Sequence, residues 1–164
     1  MKTDNAKDQA ATQLSSIRTM LIAANCDYER LETLRDECDE CDESDGATEW
    51  DAENSEELAQ LTADAGDCKD RDAAIELIKE DPLSVQVRAD WCEPGETDNK
   101  PTEFMLLLCS GGPAVRIMGD LDHYGQPIRA YLQYQDWGTP WTDYFETGAA
   151  DTLLEYAAYF YFGE

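Results

Sequence analysis

The chain has 164 residues, with 37 Asp and Glu against 12 Lys and Arg, a formal net charge of −25, and 42% apolar residues. That apolar content supports a folded core and excludes a wholly disordered acidic tail. The scarcity of bases argues against direct contact with DNA, RNA or an anionic membrane, which needs clustered Lys and Arg, so a basic protein is the better partner.

The first residues, Met1-Lys2-Thr3-Asp4-Asn5, lead into an amphipathic polar segment without an apolar signal region. Nowhere are eighteen apolar residues consecutive, so the expectation is a cytoplasmic protein with no membrane contact. From Ala10 the apolar or semi-apolar positions fall at Ala10, Leu14, Ile17, Leu21, Ala24, Tyr28, Leu31 and Cys38, a heptad rhythm broken only at Arg35 and widened late by Leu34. This predicts one long helix, or two joined near Asn25-Cys26-Asp27, where an Asn or Asp would cap a new start. The seam is thin and needs a partner helix.

Between Asp36 and Glu57 the chain then places twelve carboxylates in twenty-two residues with no Lys or Arg: Asp36, Glu37, Asp39, Glu40, Asp42, Glu43, Asp45, Glu49, Asp51, Glu53, Glu56 and Glu57. A second helical pattern covers about 54–80, with Leu58, Leu61 and Ala65, an interruption at Gly66-Asp67, then Ala73, Ala74, Leu77 and Ile78. Ser55 is the predicted cap, followed by Glu56 and Glu57 at the positive helix end. The two patterns make an antiparallel acidic hairpin connected through residues 43–48.

After Asp81-Pro82 the apolar period changes to two. Leu83, Val85, Val87, Ala89 and Trp91 alternate with polar residues, as in a half-exposed strand. Residues 94–101 read as a loop, and Phe104 to Cys109 as a central strand covered on both faces. Gly111-Gly112-Pro113 turns into a strand over Ala114 to Leu121, and Tyr124-Gly125-Gln126-Pro127 into another containing Ile128, Ala130, Leu132 and Tyr134. A helix from Asp151 to about Phe162 is apolar nearly all round and covers the sheet. The predicted fold class is α+β: an N-terminal acidic helical hairpin in domain 1–82, and in domain 83–164 a four-stranded, mainly antiparallel sheet with a covering C-terminal helix.

The candidate chemistry is thin. His123, the one histidine, sits in the turn Asp122-His123-Tyr124-Gly125 with no nucleophile motif around it, and Gly111-Gly112-Pro113 lacks the Lys-Ser/Thr of a phosphate loop. A calcium loop with Gly46 at its sixth position would need carboxylates where Cys41 and Ala52 stand. Cys38 and Cys41 form C-x-x-C without a second ligand pair, and without an export signal the six cysteines read as free thiols. We therefore expect no enzyme, no catalytic residue, no metal and no cofactor.

The aromatic segment Asp136-Trp137-Gly138-Thr139-Pro140-Trp141-Thr142-Asp143-Tyr144-Phe145 has two readings. Its rings close the core beside the last helix, or Trp137 and Trp141 form an aromatic hot spot for a partner.

If all twenty-two residues of the acidic run were helical, twelve carboxylates would spread over roughly 33 Å, one per about 2.7 Å, against one phosphate charge per about 1.7 Å of duplex DNA. A basic groove built for nucleic acid would feel a similar potential. The expected contact set is Asp36, Glu37, Asp39, Glu40, Asp42, Glu43, Asp45 and Asp51, with Trp137 and Trp141 as additional partner-binding residues.

The run Asp81-Pro82-Leu83-Ser84-Val85, then Gly111-Gly112-Pro113-Ala114-Val115-Arg116-Ile117, then Tyr134-Gln135-Asp136-Trp137-Gly138-Thr139-Pro140-Trp141-Thr142 and the ending Phe160-Tyr161-Phe162-Gly163-Glu164 resembles a group of acidic proteins of bacteriophages and mobile elements. The resemblance covers roughly the last half of the chain. It implies the setting of host-defence inhibitors, including anti-CRISPR and anti-restriction proteins that imitate DNA, and brings no catalytic residue with it. The expected function is a non-enzymatic nucleic-acid mimic that blocks the basic groove of a CRISPR effector or restriction nuclease in the host bacterial cell. The alternative is an adaptor that homodimerises through the Leu14/Ile17/Leu21/Leu31 seam and recruits a partner through the Trp137/Trp141 loop.

Overall fold

The computed structural model describes residues 5–43, 52–96 and 99–163, with side chains throughout except 40–43 and 52. The chain divides into two compact units, residues 19–76 and residues 1–18 together with 77–164.

The heptad rhythm of the first forty residues becomes two helices, α1 (Asn5–Asn25) and α2 (Tyr28–Glu43). The break falls at the expected place because Asp27 caps the second: its Oδ1 accepts the Arg30 N–H at 3.0 Å. The seam residues Leu14, Ile17, Leu21, Leu31 and Leu34 are all buried. Helix α3 (Ala52–Ala65) follows, and α4 (Arg71–Glu80) is capped by Asp70, whose Oδ1 accepts the Ala73 N–H at 2.8 Å. Ser55 is not the cap of α3; the helix begins three residues earlier, so Ser55, Glu56 and Glu57 all lie inside it. Gly66, at φ 56°, takes the left-handed position that ends α3 and bonds its N–H to the Thr62 carbonyl.

In the unit of residues 19–76, α2 and α3 lie against each other. Arg30 on α2 grips Glu57 on α3, Nε at 3.2 Å from both carboxylate oxygens and Nη2 at 2.7 Å from Oε2. That bidentate geometry fixes the relation of the two helices more tightly than a single-point pair would.

The other unit is built on an antiparallel sheet in sequence order: β1 (Ser84–Ala89), β2 (Pro101–Cys109), β3 (Ala114–Leu121), β4 (Pro127–Gln135) and β5 (Thr142–Tyr144). The sheet has five strands where four were expected. The extra strand, β5, comes from the aromatic segment, pairing Thr142 with Tyr134 and Tyr144 with Leu132. Three residues are too few to show a period of two, so only pairing reveals them.

Opposed residues in an antiparallel ladder share a face. One face carries Phe104, Leu106, Ile117, Ala130 and Leu132, all buried, and α5 (Ala149–Ala157) packs against β4. Phe162 stacks on Phe104 with ring centroids 4.5 Å apart. Phe104 lies across Gly119 of β3, where a side chain would collide with the ring and with the Arg129 carbonyl. The other face is only half-covered. Along β2 every second residue, Met105, Leu107 and Cys109, is partly exposed, which corrects the expectation of a strand buried on both sides. The run is apolar throughout, so the sequence carries no mark of which side stays open.

Candidate partner-binding surface

On α2 the acidic residues Glu29, Glu32, Asp36 and Asp39 are spaced by three, four and three residues and are exposed, while Leu31 and Leu34 are buried. That spacing puts the carboxylates on one stripe of the helix, facing away from the seam. Glu37 is exposed beside them. Glu40, Asp42 and Glu43 are positions of the same helix, so six of the eight predicted acidic contacts belong to α2. Asp45 and Asp51 lie outside the described residues.

Including Glu29 and Glu32, α2 holds eight carboxylates in 16 residues. At about 1.5 Å rise per residue this is roughly one acid per 3 Å of helix axis. Like charges at these spacings destabilise an isolated helix, each pair by about 0.2–0.5 kcal/mol. The sequence of the last turn of α2 adds to the cost: it has acids and no basic residue, and an acid at the negative end of a helix dipole is generally unfavourable by about 0.3–1 kcal/mol. Burial of Leu31 and Leu34 and the Arg30–Glu57 clamp offset these terms.

Helix α3 contributes a shallow cleft of about 450 Å³ whose described lining residues are Glu53, Glu56, Glu57, Gln60 and Leu61, none of them a base. Glu57 is held below the usual carboxylate pKa by the Arg30 guanidinium, which is itself pushed up. Glu57 is thus committed to the fold, whereas Glu53 and Glu56 are exposed. The sequence places Glu57 in the acidic run but outside the expected contact set, and Arg30, twenty-seven positions away, carries no local signal of the pairing.

The two rings of the aromatic segment sit differently, and Trp141 packs on the half-covered face of the sheet rather than beside the last helix. Trp141 lies beneath Arg116, whose Cζ is 4.0 Å from the ring centroid while its Nε donates to Gln133 Oε1 at 2.9 Å. This cation–π stack ties the segment to the half-covered face of the sheet. Trp137 is 79% exposed, in a turn held by Asp136 and Thr139. The expected hot-spot pair therefore separates into an anchor, Trp141, and a free ring, Trp137.

His123 is exposed and stacks on Tyr124 at 3.6 Å, in a turn where Asp122 Oδ1 accepts the N–H groups of Tyr124 and Gln126. Those two bonds hold the Asp122 pKa down. Among the described residues no three His, Cys, Asp or Glu side chains converge as a metal site, and no helix is long and apolar enough to cross a membrane. No protein-family model matches the chain, and neither a curated protein nor a solved structure matches it.

Proposed function

We propose that the protein is a non-enzymatic inhibitor whose acidic helical hairpin imitates nucleic acid and occupies the basic groove of a nucleic-acid-binding host protein. A CRISPR effector or restriction nuclease is the proposed class of target, and the bacterial cytoplasm the proposed setting. The single observation that carries the reading is the placement of acids along α2. They continue to its C-terminal end, the negative end of the helix dipole, and the last turn itself contains no lysine or arginine. Such an arrangement lowers the stability of the free helix and gains only when a cationic surface meets it. The regular helix also presents charge at fixed spacing, unlike a solvated tether.

An adaptor reading has less to stand on. Its dimerisation seam, Leu14, Ile17, Leu21 and Leu31, is buried within the chain, which leaves Trp137 as its remaining surface.

The test is affinity capture of a bacterial lysate at low salt with the full chain, eluted by a salt gradient and competed with duplex DNA. The expected result is a basic protein released by both salt and DNA, and no capture by a variant with Asp36, Glu37, Asp39 and Glu40 all changed to Lys. Capture that survives the four reversals, in a variant with unchanged circular dichroism, sinks the reading.

A further inference from the structure

We infer that β1 is a self-pairing edge through which two copies of this chain associate, strand to strand and antiparallel, about a twofold axis at Gln86. The strand stands at the end of the sheet order, with β2 on one side and, among the described residues, no strand on the other. Its outer backbone groups form an open ladder, and such an edge takes up another strand unless something blunts it.

One blunting device is present, a break in the pairing with β2 between Arg88 and Ala89, but residues 83–87 before it carry neither a charge nor a proline. Val85 pairs with Leu106 and Val87 with Phe104, so both valines lie on the face that elsewhere forms the core. Yet Leu83, Val85 and Val87 are 62%, 44% and 46% exposed. No inward-pointing charge and no proline interrupts residues 83–89. The one charged residue there, Arg88, is already engaged with Glu103 of β2.

Charge selects a second copy as the occupant. A molecule of net charge −25 repels its twin, so contact is tolerable only where the surface is free of acids. Residues 82–89 contain no carboxylate in a chain where 37 of 164 residues are acidic. Register then makes the strand complementary to itself. With Gln86 opposite Gln86 of the second copy, Val85 falls opposite Val87, Leu83 opposite Ala89, Ser84 opposite Arg88 and Asp90 opposite Pro82. Apolar residues meet on one face and no like charges meet. The contact is isologous, so it closes at two chains and does not propagate.

A six-residue strand pair buries on the order of several hundred Å², less than the roughly 1,200–2,000 Å² of a stable interface. The pairing is therefore weak and depends on concentration. Salt strengthens it, because screening reduces repulsion between the two anionic bodies while the apolar ladder persists. This is opposite in sign to the salt response of the groove-binding function proposed above, so the two fail independently.

The experiment is sedimentation velocity of the full chain from about 10 µM to about 1 mM, at roughly 0.05 and 0.5 M NaCl, where the Debye length falls from about 14 Å to about 4 Å. A reversible monomer–dimer equilibrium is expected, with an association constant at least about threefold higher at the higher salt. Val87→Lys and, separately, Val85→Lys should each reduce association at least about tenfold, as an inward-pointing charge does at a natural strand edge. Both sites are exposed, and circular dichroism of each variant checks that the fold is kept. Trp137→Ser should leave the equilibrium unchanged. Amide exchange of β1 in the unaltered chain gives a reading that needs no variant: protection of its residues should rise with protein concentration. A chain that stays monomeric throughout, a dimer that survives both lysine variants, or one lost only with Trp137→Ser would overturn the inference.

Discussion

The hydroxyl of Tyr156, on α5, donates to Asp81 Oδ2 at 2.6 Å and so joins the covering helix to the Asp81-Pro82 step at which α4 gives way to β1. Tyr156 is fully buried, and its ring also meets Phe160 at 5.2 Å. One side chain thereby anchors a helix to a junction seventy-five residues away. Tyr156→Phe keeps the ring and removes the bond, and should lower unfolding stability by about 1–3 kcal/mol. Asp81→Asn leaves an acceptor oxygen in place and should have a smaller effect. Urea denaturation of both variants checks the ranking.

The same contact makes the protein sensitive to alkali. Burial, then the hydrogen bond to Asp81, raises the Tyr156 pKa far above its ordinary 10.0. Burial, then the neighbouring Cys68 and Cys26, pushes Tyr28 up to about 12. In the unfolded chain both tyrosines release their protons near 10, while the folded chain keeps them. Stability is therefore complete below about pH 10 and falls as pH rises beyond it, because the unfolded state binds fewer protons. Thermal unfolding between pH 8 and 11.5 should show the decline, and Tyr156→Phe should flatten it.

Gly119 has no room for a side chain, since its Cβ would meet the Phe104 ring and the Arg129 carbonyl. The carbonyl belongs to a paired strand and the ring is buried, so neither yields easily. Gly119→Ala should destabilise the sheet by about 1–3 kcal/mol or more, measured as a lowered denaturation midpoint with an unchanged slope.

The two loop tryptophans should respond differently to substitution. Trp141→Ala removes the ring under Arg116 and should cost about 1–3 kcal/mol, through lost apolar contact and the lost cation–π stack. Trp137→Ala touches a ring that is 79% exposed and should change stability by less than about 0.5 kcal/mol. Arg116→Gln should alter the fluorescence of Trp141 alone, which comparing the spectra of the Trp137→Phe and Trp141→Phe backgrounds isolates.

Binding by the acidic hairpin, as proposed, should weaken with ionic strength. Between about 50 and 200 mM salt the affinity for the basic partner should fall at least about tenfold, and the slope should flatten as Asp36, Glu37 and Asp39 are neutralised to Asn or Gln in turn. Titration calorimetry at several salt concentrations reads this directly.

What the sequence determined by itself is local. The heptad spacing, Asp27 and Asp70 as caps, Gly66 as a terminator and the change of period after Pro82 each act within a few residues, and they place the helices and most of the strands. The density of acids, and their position on α2, is equally a property of the linear chain. What only tertiary structure decided depends on partners distant in sequence. β5 exists because Thr142 to Tyr144 meets β4, not because of its own pattern. Glu57 becomes a structural acid because Arg30 reaches it, and Trp141 an anchor because Arg116 lies above it. The apolar alternation of β1 reads like that of any half-buried strand. Its exposure follows from its place at the end of the sheet, where no neighbour among the described residues covers Val85 and Val87. Period and capping are near-neighbour energies, whereas burial and pairing are set by which distant surfaces meet, and residue spacing does not encode that choice locally.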